Sequence, residues 1–232
     1  MSCSVNSVII GRFQPLHKGH GYLIKQALKN SDNLIIVVGS SFSSRTLRNS
    51  FTFDERKEII LDALSDPDFA EISNIKNRVF IVAVRDYLYD SGDIAWQEAI
   101  LAEIDGVLKN KNKNKNKNIL LTGYEKDQTS YYLKYFIDIH KWNYLGCDYY
   151  NNINSTEIRL SYFAKDINKD INKDINKYIY KSTFDWLDKF KKTNEFSSLH
   201  NEYKSMIAYR KLWKNSPFAP IFVTCDALVI HK

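Results

Sequence analysis

Residues 11–20 read Gly-Arg-Phe-Gln-Pro-Leu-His-Lys-Gly-His (GRFQPLHKGH), and the rest of the chain can be ordered around them. Just before them, Val5 to Ile10 is a short strand-like run ending at Gly11. Just after them, Lys18 to Asn30 carries Tyr22, Leu23, Ala27 and Leu28 at helical spacing. The stretch is therefore the turn between a first strand and a first helix. In an open α/β sheet that turn lies at the carboxyl end of the strand, where ligands bind. His17 and His20, three apart, share one face of the first helical turn. Gly19 between them lets another group come close to the backbone. Together with Arg12 and the helix amides they make a site for a polyphosphate. A pair of helix caps or surface histidines fits the same spacing, so both readings stay open at this point.

The chain downstream repeats the strand-and-helix rhythm. Leu34 to Val38 is a continuous apolar run, the mark of a strand buried on both faces of a parallel sheet. The polar loop Ser40 to Ser50 holds Arg45 and Arg48, both placed to face the crevice of His17 and His20. A helix over Phe51 to Leu64 opens with Thr52 and Glu55 as a capping box. Val79 to Val84 reads as a third buried strand, followed by Arg85-Asp86-Tyr87 and a helix from Asp93 to Leu108 with Trp96 in its first turn. Ile119 to Leu121 is a fourth strand, and a helix is expected from Thr129 to Phe136. Gly123 to Asp127 between them suits a phosphate or adenosine loop. After a fifth strand, Trp142 to Cys147, Ser155 and Thr156 stand at a helix start with Arg159 one turn on. That is either a second anion clamp or a capped surface helix.

Asp166 to Lys177 repeats DINK three times, with Ile167, Ile171, Ile175 and Ile179 every four residues, and is read as helix. A helical hairpin follows over Tyr178 to Lys191 and Phe196 to Trp213. The fold class is thus α/β: a Rossmann-like parallel sheet of about five strands with helices on both faces, plus C-terminal helices.

The formal charge of +6 suggests a nucleic-acid partner until it is located. Lys109, Lys111, Lys113, Lys115 and Lys117 sit in one lysine–asparagine tract, and without those five the remainder is +1. No nucleic-acid partner is expected. Cys3, Cys147 and Cys225 are scattered and form no CxxC pair, which favours free thiols in a reducing compartment and no zinc site. With no membrane-length apolar run and no signal-peptide pattern, a cytoplasmic protein without membrane association is expected.

Gly11 to Pro15 followed by His17-Lys18-Gly19-His20 resembles the HxGH signature of the nucleotidylyltransferase superfamily. The extended GRFQPxHKGH form is similar to the nicotinamide-mononucleotide adenylyltransferases of the archaeal and bacterial bifunctional type. Ile153-Asn154-Ser155-Thr156-Glu157-Ile158-Arg159 resembles the superfamily's ISSTxxR motif, with Asn154 in place of the first serine. TGYEKDQTSYYL, residues 122–133, resembles the GxxKDxSSYYL segment of the bifunctional group. SSRTLRNSFTFDER, residues 43–56, resembles the segment whose arginine precedes a PFT-like turn, here without the proline.

The resemblance covers roughly residues 5–190 and implies the reaction ATP + NMN → NAD + pyrophosphate, in NAD biosynthesis. It implies catalytic roles for His17, His20, Arg48 and Arg159. It implies ATP contacts from Gly11, Arg12, Phe13, Gln14, His17, His20, Arg48, Gly123, Lys126, Asp127, Ser155, Thr156 and Arg159. It places NMN against Trp96, Asp93 and Asp86, the indole stacking on the cationic ring. Mg²⁺ is the implied cofactor, held by phosphate oxygens and water with no protein side chain as ligand. A homo-oligomer is expected. Residues 1–190 are read as the transferase domain, 191–216 as a helical linker and 217–232 as the first strand of a truncated Nudix-like domain. The Nudix signature is not in these residues, so no hydrolase activity is assigned. Two other readings stand: a sister enzyme using pantetheine phosphate or glycerol phosphate, and a nucleotide sensor without catalysis.

Overall fold

Five strands, β1 (Val5–Gly11), β2 (Asn33–Val38), β3 (Val79–Ala83), β4 (Asn118–Gly123) and β5 (Asn143–Gly146), pair in parallel in the order β3-β2-β1-β4-β5. The computed structural model describes residues 4–87, 92–111, 118–124, 132–148, 150, 153–164 and 173–215. The two central strands bury both faces, as their unbroken apolar runs require. Ile9, Leu34, Ile36 and Val38 point to one side, Val8, Ile35 and Val37 to the other. The first side is covered by α1 (Lys18–Lys29) and α2 (Phe53–Ala63) through Leu23, Ile24, Ile59 and Ile60. The second is covered by α4 (Gly92–Lys111) and α5 (Tyr132–Lys134) through Ile100, Ile104 and Leu133. The expected Rossmann-like α/β architecture is what the chain adopts.

Local chemistry sets the element ends. Thr52 and Glu55 form the expected capping box, each side chain bonding the other's backbone N–H. Some expectations need correction. Strand β3 is not buried on both faces: it is the sheet's edge, pairs only with β2, and most of its side chains stay half-buried. Between α2 and β3 lie a 3₁₀ turn (Pro67–Phe69) and a short helix, α3 (Ile75–Arg78), neither anticipated. The turn had a legible signal, Asp66 as cap with Pro67 at the first helical position. The helix expected over Thr129 to Phe136 is α5 running into a π-helical turn, Tyr135–Ile139. Residues 125–131 lie outside the described residues. So do Ile167 and Ile171 of the DINK tract, of which α7 (Lys173–Asn176) is the described helical part. Ile175 and Ile179 are both buried. The strand expected over 217–232 also lies outside the described residues.

A third cluster joins α6 (Ser155–Phe163), α8 (Lys181–Phe190) and α9 (Asn194–Leu212). Phe196, Leu199 and buried His200 of α9 pack with Ile158, Tyr162 and Phe163 of α6. The first half of α9, within the stretch expected as a linker, packs into this core. The same C-terminal region fastens the start of α1. Lys18 N–H donates to the Tyr178 carbonyl at 2.8 Å. Gly21 leaves room for Tyr180: a Cβ there would stand 1.9 Å from the tyrosine hydroxyl.

Candidate active site

The strand order reverses between β1 and β4, and a crevice opens at their carboxyl ends. It holds a cavity of about 290 Å³. Gly11, Arg12, Phe13, Gln14, His17 and His20 enter it from the loop after β1. Gly123 enters after β4, and Ser155, Thr156 and Arg159 enter from α6. Two motifs far apart in sequence thus meet at one pocket.

The histidines are more than neighbours. His17 caps α1: its Nδ1 accepts from the His20 backbone N–H at 3.3 Å, and His20 Nδ1 accepts from the His17 backbone N–H at 3.3 Å. The rings stack with centroids 3.7 Å apart. Because each Nδ1 is an acceptor, each neutral ring must carry its proton on Nε2. Burial holds His17 at a pKa of about 3, and burial plus the adjacent His17 ring holds His20 well below the usual histidine range. Both rings are therefore neutral donors near pH 7, with Nδ1 already engaged. The amides of His17 and His20 are taken by the two imidazoles, so those two of the expected helix amides are already engaged.

Arg12 supplies the unmatched charge. Its Nη1 is buried and has no hydrogen-bond partner among the described residues. Burial, and next Arg48, lower its pKa, while Asp86 opposes that shift. A buried guanidinium nitrogen without an acceptor, lining a cavity, is a ready anion contact. Gln14 lines the same cavity, but its side chain faces protein. Its Nε2 donates to the Phe51 carbonyl at 2.8 Å, and its Oε1 accepts from Phe51 N–H at 2.9 Å. Its amide pins the first loop to the segment before α2.

Arg159 is tied in a similar way. Nη1 donates to the Gln14 carbonyl at 2.6 Å, Nε to the Leu47 carbonyl at 3.1 Å and Nη2 to Thr156 Oγ1 at 3.3 Å. Burial, then Arg12 and Arg48, lower its pKa to about 10, still charged at neutral pH. It holds three loops together and has two N–H bonds left for a ligand. Asn154 turns out to be the N-cap of α6, its Oδ1 accepting from Thr156 N–H at 2.8 Å. An amide oxygen thus does the capping work at the position where the motif has serine.

The remaining described candidates are not drawn into the cavity wall. Arg48 is exposed on the rim, close enough to depress Arg12 and Arg159. Arg45 does not face the crevice: it is bound bidentately to Glu55 at 2.8 and 2.9 Å and to the Ser50 carbonyl at 2.6 Å. Trp96 packs, partly buried, against the second core cluster, with exposed Asp93 near it in the first turn of α4. Asp86 accepts from Ser43 Oγ at 3.4 Å and acts electrostatically on Arg12 and Arg56. Lys126 and Asp127 lie outside the described residues. Sequence reasoning missed Asp148 and Tyr150, which line the cavity after β5 and belong to no motif. It also gave no role to buried Arg56, although that residue closes the 43–56 segment.

Residues 8–161 match the model of the cytidylyltransferase-like family. The chain belongs to the cytidylyltransferase-like family. This cytidylyltransferase-like chain is 27% identical over 199 residues to a nicotinamide/nicotinic acid mononucleotide adenylyltransferase of Acinetobacter baylyi, covering 85% of this chain and 93% of that one. It is 42% identical over 81 residues to a nicotinamide-nucleotide adenylyltransferase of Saccharolobus solfataricus, covering 35% of this chain and 44% of that one. Among solved structures it resembles a bifunctional NMN adenylyltransferase/ADP ribose pyrophosphatase of Francisella tularensis, at 34% identity with a TM-score of 0.74 over 95% of this chain. The same Francisella protein complexed with AMP and a manganese ion gives 0.72. The chain spans 58–59% of the Francisella protein's length. The family match ends at residue 161, so α8 and α9, which fasten the site from behind, lie beyond it.

Proposed function

We propose that the chain is a nicotinamide-nucleotide adenylyltransferase that joins ATP and NMN to give NAD and pyrophosphate. The observation that carries this reading is the convergence of the His17–His20 pair, the unpartnered Nη1 of Arg12 and the Ser155–Arg159 helix start on one cavity. The names of relatives at 27–42% identity support the choice of acceptor.

The chemistry fits these residues. The attacking group is the phosphate of NMN, already an anion, so no general base is required. Attack on the α-phosphorus of ATP expels pyrophosphate, which leaves as a stable anion and needs no acid. What is required is alignment and neutralisation of charge on the transferred and departing phosphates. The Nε2–H groups of His17 and His20 donate to the α- and β-phosphate oxygens. Arg12, with Arg48 on the rim, takes the β/γ end. Arg159 fixes the geometry of both loops and adds charge. The acceptor sits toward the first turn of α4, where Asp93 and Trp96 stand at the same carboxyl edge of the sheet.

A divalent cation enters as part of the substrate, bound to the triphosphate. The lining suits that arrangement. It offers cationic and N–H donors to the phosphates, with Asp148 as a carboxylate beside them. Mg²⁺ is the ion we assign. Among the described residues no helix is long and apolar enough to cross a membrane.

Pyrophosphate release is the deciding assay, run with ATP, Mg²⁺ and a panel of acceptors: NMN, nicotinate mononucleotide, pantetheine phosphate and glycerol phosphate. Release with NMN above all others is the expected result. Release only with another acceptor would make the chain a sister enzyme, and nucleotide binding without release a sensor.

A further inference from the structure

Arg56 lies on α2, at the end of the 43–56 segment, with no role assigned to it from the sequence, and is 1% exposed. All of its hydrogen bonds go to backbone carbonyls. Nη1 reaches the carbonyls of Arg12 at 2.7 Å and Gly39 at 2.8 Å, Nη2 that of Ser40 at 3.3 Å, and Nε that of Thr52 at 3.1 Å. Among the described residues no carboxylate forms an ion pair with it. A buried cation without a directly bonded anion is costly to keep, and Asp86 and Glu55 act on it only from a distance.

The carbonyls it holds are not arbitrary. The Arg12 carbonyl belongs to the peptide entering Phe13, and the Gly39 carbonyl to the peptide entering Ser40. Phe13 and Ser40 are non-glycine residues in the left-handed region, with φ of 50° and 51°. Such residues persist where surrounding contacts over-determine them. Arg56 thus clamps the two strained turns at the carboxyl ends of β1 and β2. The first of these turns aims Arg12, whose Nη1 has no partner among the described residues. The two guanidinium groups also lie close enough that Arg12 depresses Arg56. Part of that mutual repulsion is relieved when a polyanion reaches Arg12.

We propose that Arg56 is a positioning residue that acts through Arg12: by bridging the turns at Phe13 and Ser40 it aims the Arg12 guanidinium at the β/γ-phosphate end of the nucleotide. This rests on the adenylyltransferase reading above. The contribution belongs to the outer phosphates, so it separates ATP from AMP. Arg56→Lys keeps the charge but cannot bridge four carbonyls with one ammonium. Arg56→Gln keeps some hydrogen bonding and removes the charge.

Calorimetric titration of the wild type, both variants, Arg12→Ala and Arg12→Ala/Arg56→Lys with ATP and with AMP tests this, with circular dichroism to follow folding. Arg56→Lys should weaken ATP binding about ten- to a hundredfold and leave AMP within about twofold. In the Arg12→Ala background the same change should cost no more than about twofold for ATP. Equal loss for ATP and AMP, a full loss persisting without Arg12, or unfolding of both Arg56 variants would overturn the proposal and leave Arg56 a fold-holding residue only. Wild-type protein that fails to bind ATP would instead remove the functional reading beneath it.

Discussion

Helices α1 and α6 both begin at the pocket, and their first turns are closed by different means. At α1 the capping groups are the two imidazoles, each accepting the other's backbone N–H. At α6 the cap is Asn154, a neutral amide that has no other visible task, while Arg159 is bound to the Gln14 and Leu47 carbonyls. On the proposed function, the first case puts stability and ligand binding in the same two side chains. In the second they are divided among neighbours. Substitutions should therefore couple the two properties at α1 and separate them at α6.

The largest effect is expected at His20. His20→Ala removes one Nε2–H donor and half of the reciprocal cap, and should lower the rate of NAD formation about 100- to 1000-fold. The lost cap should cost only about 1 kcal/mol in a denaturant titration, so the protein stays folded. Wild-type turnover in that variant would sink the catalytic assignment. Arg159→Ala comes next, with a different balance. It strands two acceptors, the Gln14 and Leu47 carbonyls, and should destabilise the fold by roughly 2–4 kcal/mol as well as slowing turnover. A variant of unchanged melting temperature would show that the guanidinium serves the ligand alone.

Acid should then act through α1. The unfolded chain binds protons at histidine with a pKa near 6.5, whereas folded His17 does so only near 3. Stability from keeping the His17 ring neutral is complete above about pH 6.5 and falls as the pH drops toward 3, by roughly 1.4 kcal/mol per unit, and His20, also held below its ordinary range, acts in the same direction. Melting curves between about pH 7 and 5, above most carboxylate titrations, should show this slope. Saturating ATP should flatten it, because bound phosphate favours the protonated ring. A slope unchanged by nucleotide would argue against imidazole–phosphate contact. The smallest effect belongs to Asn154→Ala, about 1 kcal/mol of stability with turnover kept within about threefold. Loss of activity far beyond that would mean that Asn154 touches substrate.

The same contrast explains what was legible in the sequence. Strands β1 and β2 were visible because burial on both faces leaves an unbroken apolar run, and the Thr52–Glu55 box was visible because its reach is local. The pocket's two motifs were legible as residue types, and their meeting follows from where parallel strands end. Partners brought from afar were not legible. Arg45 looks like any loop arginine until Glu55 folds back onto it. Gln14 looks like a ligand contact until its amide meets Phe51, 37 residues away. Trp96, read as a platform for a flat ring, packs partly against the second core cluster, and a single indole at a helix start fits either place. Asp148 lies in no pattern and Arg56 only closes a segment read for Arg48, so three-dimensional proximity gives both their meaning.

The bond from Lys18 to Tyr178, the fit of Tyr180 over Gly21 and the packing of His200 behind α6 set an order of events for the growing polypeptide. During synthesis the first strand and its histidine-bearing turn leave the ribosome early, yet their closing contacts come from a stretch made much later. Such distant closures are slow to find. A nascent chain halted before Tyr178 would therefore carry both imidazoles and lack the brace that holds them in register. The histidine-bearing turn becomes competent only once Tyr178 and Tyr180, far downstream, have been translated.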